Sequence, residues 1–435
     1  MTLDRITPPA IQDFAPLHLP APTVGKLSNG IPVYTFSMGE QEVCRIDWMI
    51  EGGNYEETVH PAATFTHLML KEGAAGRHAK EIAETLDFYG AWLQTSTSMH
   101  FSYITVYMLN KHVHTLLPVM ADLIQSPDFP EEELQRLKEK RMQLLLLNRE
   151  KVNNLSHAAF NSMLFGADHP YAYEATETDI AQIQPAHLFE FHRRYYRPER
   201  CRILLSGNIT DEIHAAVEQY FGKEWTNSPR TETVPEETIY PIHPQPEKET
   251  IVHKADALQS GIRIGAQVIN RDHPDYQKLR ILSTALGGYF GSRLMANIRE
   301  EKGYTYGISS SVAGLRQAAY IVISTQSGTE FTRPLIREVF TEIERLRTEA
   351  IGAEEMETLR NYLRGEMART LDSPFTIADY YISLLANRLP SDYFSLQDRT
   401  IREITADELL RVARTHLDPE KFVVAIAGDR TKIGQ

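Results

Sequence analysis

The chain has 435 residues, with 45 basic against 58 acidic side chains and a formal net charge of −13. That length allows two or more domains, and the acid excess argues against a nucleic-acid partner. Its mean hydropathy is −0.34, no apolar run approaches the ~18 residues a membrane helix needs, and two cysteines (Cys44 and Cys201) are too few for a disulfide framework or a multi-thiolate metal site. The opening MTLDRITPPAIQDF has neither a basic leader nor an apolar core, which argues against a secretory signal. A reduced, cytoplasmic protein with no membrane insertion is expected.

In chain order, GIPVYTFSM, CRIDWMIEGG and FSYITVYML alternate in the manner of strands. HAKEIAETLDFYG and EEELQRLKEKRMQLLLLNRE carry the three-and-four spacing of amphipathic helices. The second half repeats the mixture. YQKLRILSTAL, RPLIREVFTEIERLRTE and AEEMETLRNYLRGEMARTL read as helices, and YIVISTQS and FVVAIAG as strands.

An internal repeat explains that symmetry. Without gaps, Ile180 stands 221 residues before Ile401, Leu188 before Leu409, Pro198 before Pro419 and Gly207 before Gly428. The fold class follows: α+β, two homologous repeats, each a mainly antiparallel sheet with helices packed on one face. The expected division is a first repeat over 1–223, a proline-rich connector over 224–250 and a second repeat over 251–435. The connector carries Pro229, Pro235, Pro241, Pro244 and Pro246. It reads as an extended surface linker, or as an ordered strap if Ile239 and Tyr240 anchor it.

The most specific motif is GGYFGSRLMANIREEKGYTYGISSS. Ser292 is a candidate N-cap, Leu294 and Ile298 give a short helix an apolar edge, and Gly303 suits the position after its end. Arg299 then falls in the last helical turn and Tyr306 just inside the next strand, so both side chains can enter one cleft. Elsewhere, His112 and His114 stand two apart but lack a third ligand by spacing, and no phosphate loop or nucleophile elbow is credible.

This segment closely resembles the Arg/Tyr substrate-binding motif of the pitrilysin/insulinase-like metallopeptidases, the inverzincins, and the resemblance covers nearly the whole chain. It implies that Arg299 and Tyr306 contact a substrate near the scissile bond, as donors to developing oxyanion charge. Active members of the family hold zinc with H-x-x-E-H on the first long helix. Here AATFTHLMLKEGA puts Thr64, His67 and Leu68 in those places, and Gln143 or one of Leu144 to Leu147 replaces the third ligand. By this resemblance the chain binds no zinc and is not active alone. It would be the substrate-binding subunit of a zinc metalloendopeptidase for peptides, with zinc and the general base in a homologous HxxEH-bearing partner. The other expectation is a non-enzymatic peptide-binding or scaffold protein of the same fold, possibly a homodimer, as in the core subunits of respiratory complexes. The Arg/Tyr pair favours the first.

Overall fold

The computed structural model describes residues 15–225 and 238–433. The opening stretch read for a leader, and Pro229 and Pro235 of the connector, lie outside the described residues.

Two sheets organise the chain. The first has six strands in the spatial order Thr23–Lys26, Pro32–Ser37, Cys201–Gly207, Val43–Glu51, Phe101–Leu109 and Trp92–Thr97. The second has five, in the order Thr305–Gly314, Ala319–Gly328, Gln259–Gln267, Val423–Gly428 and Glu249–His253. In the first sheet, Pro32–Ser37 runs parallel to Cys201–Gly207, and every other pair is antiparallel. In the second, Glu249–His253 runs parallel to Val423–Gly428, and the rest are again antiparallel. Apart from the extra strand Thr23–Lys26, the two patterns are the same, so the 221-residue spacing is a repeat of topology. The first strand of the second sheet begins at Glu249, just inside the expected connector.

The repeat also fixes local chemistry. Pro198 and Pro419 each open a short 3₁₀ turn that delivers the chain into a central strand, where proline's fixed φ suits the first helical position. Gly207 ends its strand at φ +111°, and a Cβ there would lie 2.4 Å from the Val43 carbonyl oxygen. Only glycine meets both demands.

Each sheet packs helices of its own half on one face. In the first half, Ile46, Trp48, Ile104, Val106 and Ile203 meet helix residues such as Phe65, Leu117, Met120 and Leu188. The opposite face is covered by the other half. Helix Pro374–Ala386, started by Pro374 behind a Ser373 cap, lays Ile377, Ala378, Tyr381 and Leu384 over Phe36, Met49, Phe101 and Leu204. Reciprocally, helix Val152–Phe165 lays Phe160, Met163 and Leu164 over Val322, Val423 and Ala425 of the second sheet. Arg45, 4 % exposed, ties this exchange together: it pairs with Asp47 at 2.8 Å on its own strand and with Asp379 at 2.6 Å on the crossing helix.

The described end of the connector is a strap. The His243 amide donates to the Phe165 carbonyl at 3.1 Å and the Gln245 amide to that of Met163 at 3.0 Å. Tyr240 anchors it against Tyr55, with ring centres 5.2 Å apart. Ile239 does not, since it is 76 % exposed.

Candidate functional site

The segment carrying Arg299 is a widened helix of π type over Met295–Glu301, rather than an ordinary α-turn. Such wide turns cluster at functional sites. Its inner edge is set by Leu294 and Ile298, both fully buried. The Ser292 carbonyl accepts from the Ala296 amide at 2.9 Å, but the Ser292 hydroxyl caps nothing among the described residues. Gly303, at φ +65°, closes the helix and turns the chain into the edge strand Thr305–Gly314. The register of that strand shifts between Thr305 and Ile308, and Thr305 Oγ1 bonds across the irregularity to the Gln326 carbonyl at 2.6 Å.

This geometry brings the two motif residues together. The Arg299 guanidinium lies 4.8 Å from the centre of the Phe290 ring and 5.3 Å from that of Tyr306. A cation held between two aromatic faces is fixed in position without losing its donors. Its Nε sits 3.3 Å from Glu300 Oε1, and among the described residues its Nη atoms make no hydrogen bond. Tyr306 is 91 % exposed and borders a shallow cavity of about 550 Å³ with Ser309, Ser324 and Gln326. Phe290 stood in the motif, but sequence reasoning gave it no role; its aromatic type was the only signal.

Helix Ala62–Met69 is held at its start by Glu57, which accepts from the Ala63 amide at 2.8 Å and contacts His60 Nδ1 at 2.7 Å. Thr64 bonds through its hydroxyl to Asn54 Oδ1 at 3.1 Å. His67 is 1 % exposed, with Nδ1 3.0 Å from the Tyr196 hydroxyl, and burial pulls its pKa down to about 4. Leu68 is half-buried. On the facing helix Glu131–Arg149, Leu144 and Leu145 border the same groove as Thr64, whereas Gln143 points to solvent. Of the two remaining histidines considered, His112 lies tilted against Tyr89, ring centres 4.8 Å apart, and His114 pairs with Glu212 at 3.0 Å, so they do not converge.

Comparison with known proteins decides the relationship. Residues 33–167 match the family model described as insulinase (peptidase family M16), and residues 182–363 match that of the peptidase M16 inactive domain. The chain belongs to peptidase family M16. An uncharacterized zinc protease of Bacillus subtilis, YmxG, is 24 % identical over 329 residues, covering 75 % of this chain and 78 % of the relative. A peptidase M16 inactive domain from Pseudomonas fluorescens superposes with a TM-score of 0.82 at 22 % identity, covering 94 % of this chain and 98 % of that one. A protease from Helicobacter pylori superposes at 0.83 with 17 % identity, covering 94 % and 100 %. At such identities the likeness shows the fold.

For an M16 chain, the donors on helix Ala62–Met69 do not fit zinc. Leucine offers no lone pair, threonine is a poor ligand, and the single imidazole is turned into the core against Tyr196. Elsewhere among the described residues, the fold brings His273, Asp275 and His416 to within 4.8 Å of one another, a juxtaposition invisible in the sequence. Asp275 is already held there by both Arg411 nitrogens, at 2.7 and 3.0 Å, which keep its carboxyl well below the usual carboxylate range. The cluster reads as an ionic tie between the start of helix Tyr276–Gly287 and the helix Ala406–His416. No helix among the described residues is long and apolar enough to cross a membrane.

Proposed function

We propose that this M16 chain is the non-catalytic, substrate-binding subunit of a heterodimeric zinc metallopeptidase that acts on peptides. The observation that carries the reading is the contrast between its two motifs. Arg299 and Tyr306 are positioned side by side with their polar ends open, and helix Ala62–Met69 has no ligand set for a metal. A homologous partner bearing HxxEH would hold the zinc, and that ion would supply the activation of water needed for attack on a peptide carbonyl. This chain's own residues bind and orient: Arg299 gives fixed charged donors, and Tyr306 a neutral hydroxyl, to the oxygen where charge develops. The strand carrying Tyr306 is at the edge of its sheet, so an extended peptide can add alongside it.

The test is reconstitution. The chain alone cleaves no peptide, and mixing it with a cognate HxxEH subunit restores cleavage. If no such subunit associates with it, the reading gives way to a non-enzymatic peptide-binding or scaffold protein, possibly homodimeric.

A further inference from the structure

The groove beside Thr64 is a cavity of about 420 Å³ between helices Ala62–Met69, Glu131–Arg149 and Val152–Phe165. That volume falls in the range of small-ligand sites, about 300–1,000 Å³. Arg141 projects from the middle helix into its lining. Among the described residues the Arg141 guanidinium makes no ion pair and no hydrogen bond, and burial alone pulls its pKa below the usual arginine value. Arginine stays protonated even so. A half-buried cation without a partner is unfavourable unless something supplies the counter-charge.

The other charged groups bordering the groove are committed. Arg149 pairs with Glu177. Glu57 is shared between His60 and the Ala63 amide. Glu174, exposed at the rim, interacts with Arg149 and not with Arg141. A second donor site also lacks a partner: His157 Nδ1 is buried without a hydrogen bond. The walls are apolar where Met99, Leu144 and Leu145 line them, with Asn148 and Asn154 as neutral polar groups.

We infer that Arg141 makes this groove a binding site for a carboxylate carried next to an apolar side chain, as at the C-terminus of a peptide. A guanidinium fork suits a carboxylate in two-point contact, and the leucines take the neighbouring side chain. The site is in the first half of the chain, separate from Arg299 and Tyr306, and does not depend on the pairing with a catalytic subunit.

Titration calorimetry on the full chain alone tests it with three probes: acetyl-Ala-Ala-Gly-Leu with a free carboxylate, the same peptide amidated, and amidated acetyl-Ala-Ala-Glu-Leu. The free acid is expected to bind at least about tenfold more tightly than its amide, the scale of a charge-assisted hydrogen bond. Binding of the glutamate-containing amide in its place would identify a side-chain carboxylate as the source. Arg141→Met should abolish the preference and Arg141→Lys keep part of it; neither should lower the melting temperature, because Arg141 has no partner to lose and Met removes an uncompensated charge. Equal binding of acid and amide, unchanged affinity in Arg141→Met, or no binding of any probe at millimolar concentration would each overturn the site. None of these results bears on reconstituted cleavage, so the two readings fail separately.

Discussion

Arg299 and Tyr306 stand seven residues apart in the chain and meet face to face, the guanidinium carbon 5.3 Å from the ring centre. Phe290 closes the other side at 4.8 Å. The arginine is therefore placed by aromatic contact, which leaves its Nη donors without a hydrogen bond among the described residues.

Replacing either motif residue should slow cleavage by the reconstituted complex without separating its subunits. Arg299→Ala is expected to cost on the order of 10²-fold in kcat, the usual scale for a lost oxyanion donor. Tyr306→Phe removes one neutral hydrogen bond and should cost about fivefold. Phe290→Ala loosens the arginine and should act in the same direction as Arg299→Ala, but less. Cleavage at the full rate in all three would remove the assigned role.

Purified in the absence of chelator, the chain should carry far less than one zinc per molecule by mass-spectrometric metal analysis. His67→Ala should leave that value where it was. Stoichiometric zinc that disappears with His67→Ala would show that helix Ala62–Met69 binds metal after all.

Acid should destabilise the fold through two histidines that share Tyr196. His67 lies 3.0 Å from the Tyr196 hydroxyl, and His192 stacks on its ring at 4.7 Å. Burial pulls both from 6.5 to about 4. Unfolded imidazoles take up protons below about pH 6.5 and the folded ones do not, so unfolding binds extra protons in that interval. Their contribution is fully present above pH ~6.5 and is lost as the pH falls towards 4. Urea melts across this range should show stability rising with pH, and His67→Gln should flatten the slope by about one proton. An unchanged slope in that variant would mean that His67 titrates normally.

The crossing ion network offers a contrast between two substitutions at one contact. Arg45→Met leaves Asp47, which also accepts from Thr105 Oγ1 at 2.6 Å, as a buried charge without its counter-ion. That should cost about 3–5 kcal/mol. Asp379 has a side chain 59 % exposed, so Asp379→Asn should cost under about 1 kcal/mol. Equal losses in chemical denaturation would show that the burial difference between the two partners is immaterial.

Much of this arrangement is legible in the residues. The ungapped spacing from Ile180–Ile401 to Gly207–Gly428 carries the repeated topology, because each pair occupies an equivalent core or turn position. The placement of Arg299 before a glycine and Tyr306 after it likewise follows from local helix and strand rules. What escapes such reading is set by distant partners. The apolar stripe of Phe160, Met163 and Leu164 announces a buried helix face, but nothing in it names the second sheet as its cover. Arg141 is notable for a contact it lacks, and missing contacts leave no trace in a pattern. The tie among His273, Asp275 and His416 joins residues more than a hundred positions apart. The π-turn at Met295–Glu301 differs from an α-turn only in bonding that composition does not encode.

The exchanged helices make the two halves a clasp. Phe160 reaches so close to the second sheet that a Cβ on Gly265 would lie 2.8 Å from its ring, and Tyr381 sits 4.9 Å from Phe36 in the first. Cutting the connector would not release the halves, and expressing either one alone would strip a sheet of one of its two coverings. Any opening along the middle of the molecule is thus a partial unfolding event and not a hinge motion, so the two halves hold one preset shape.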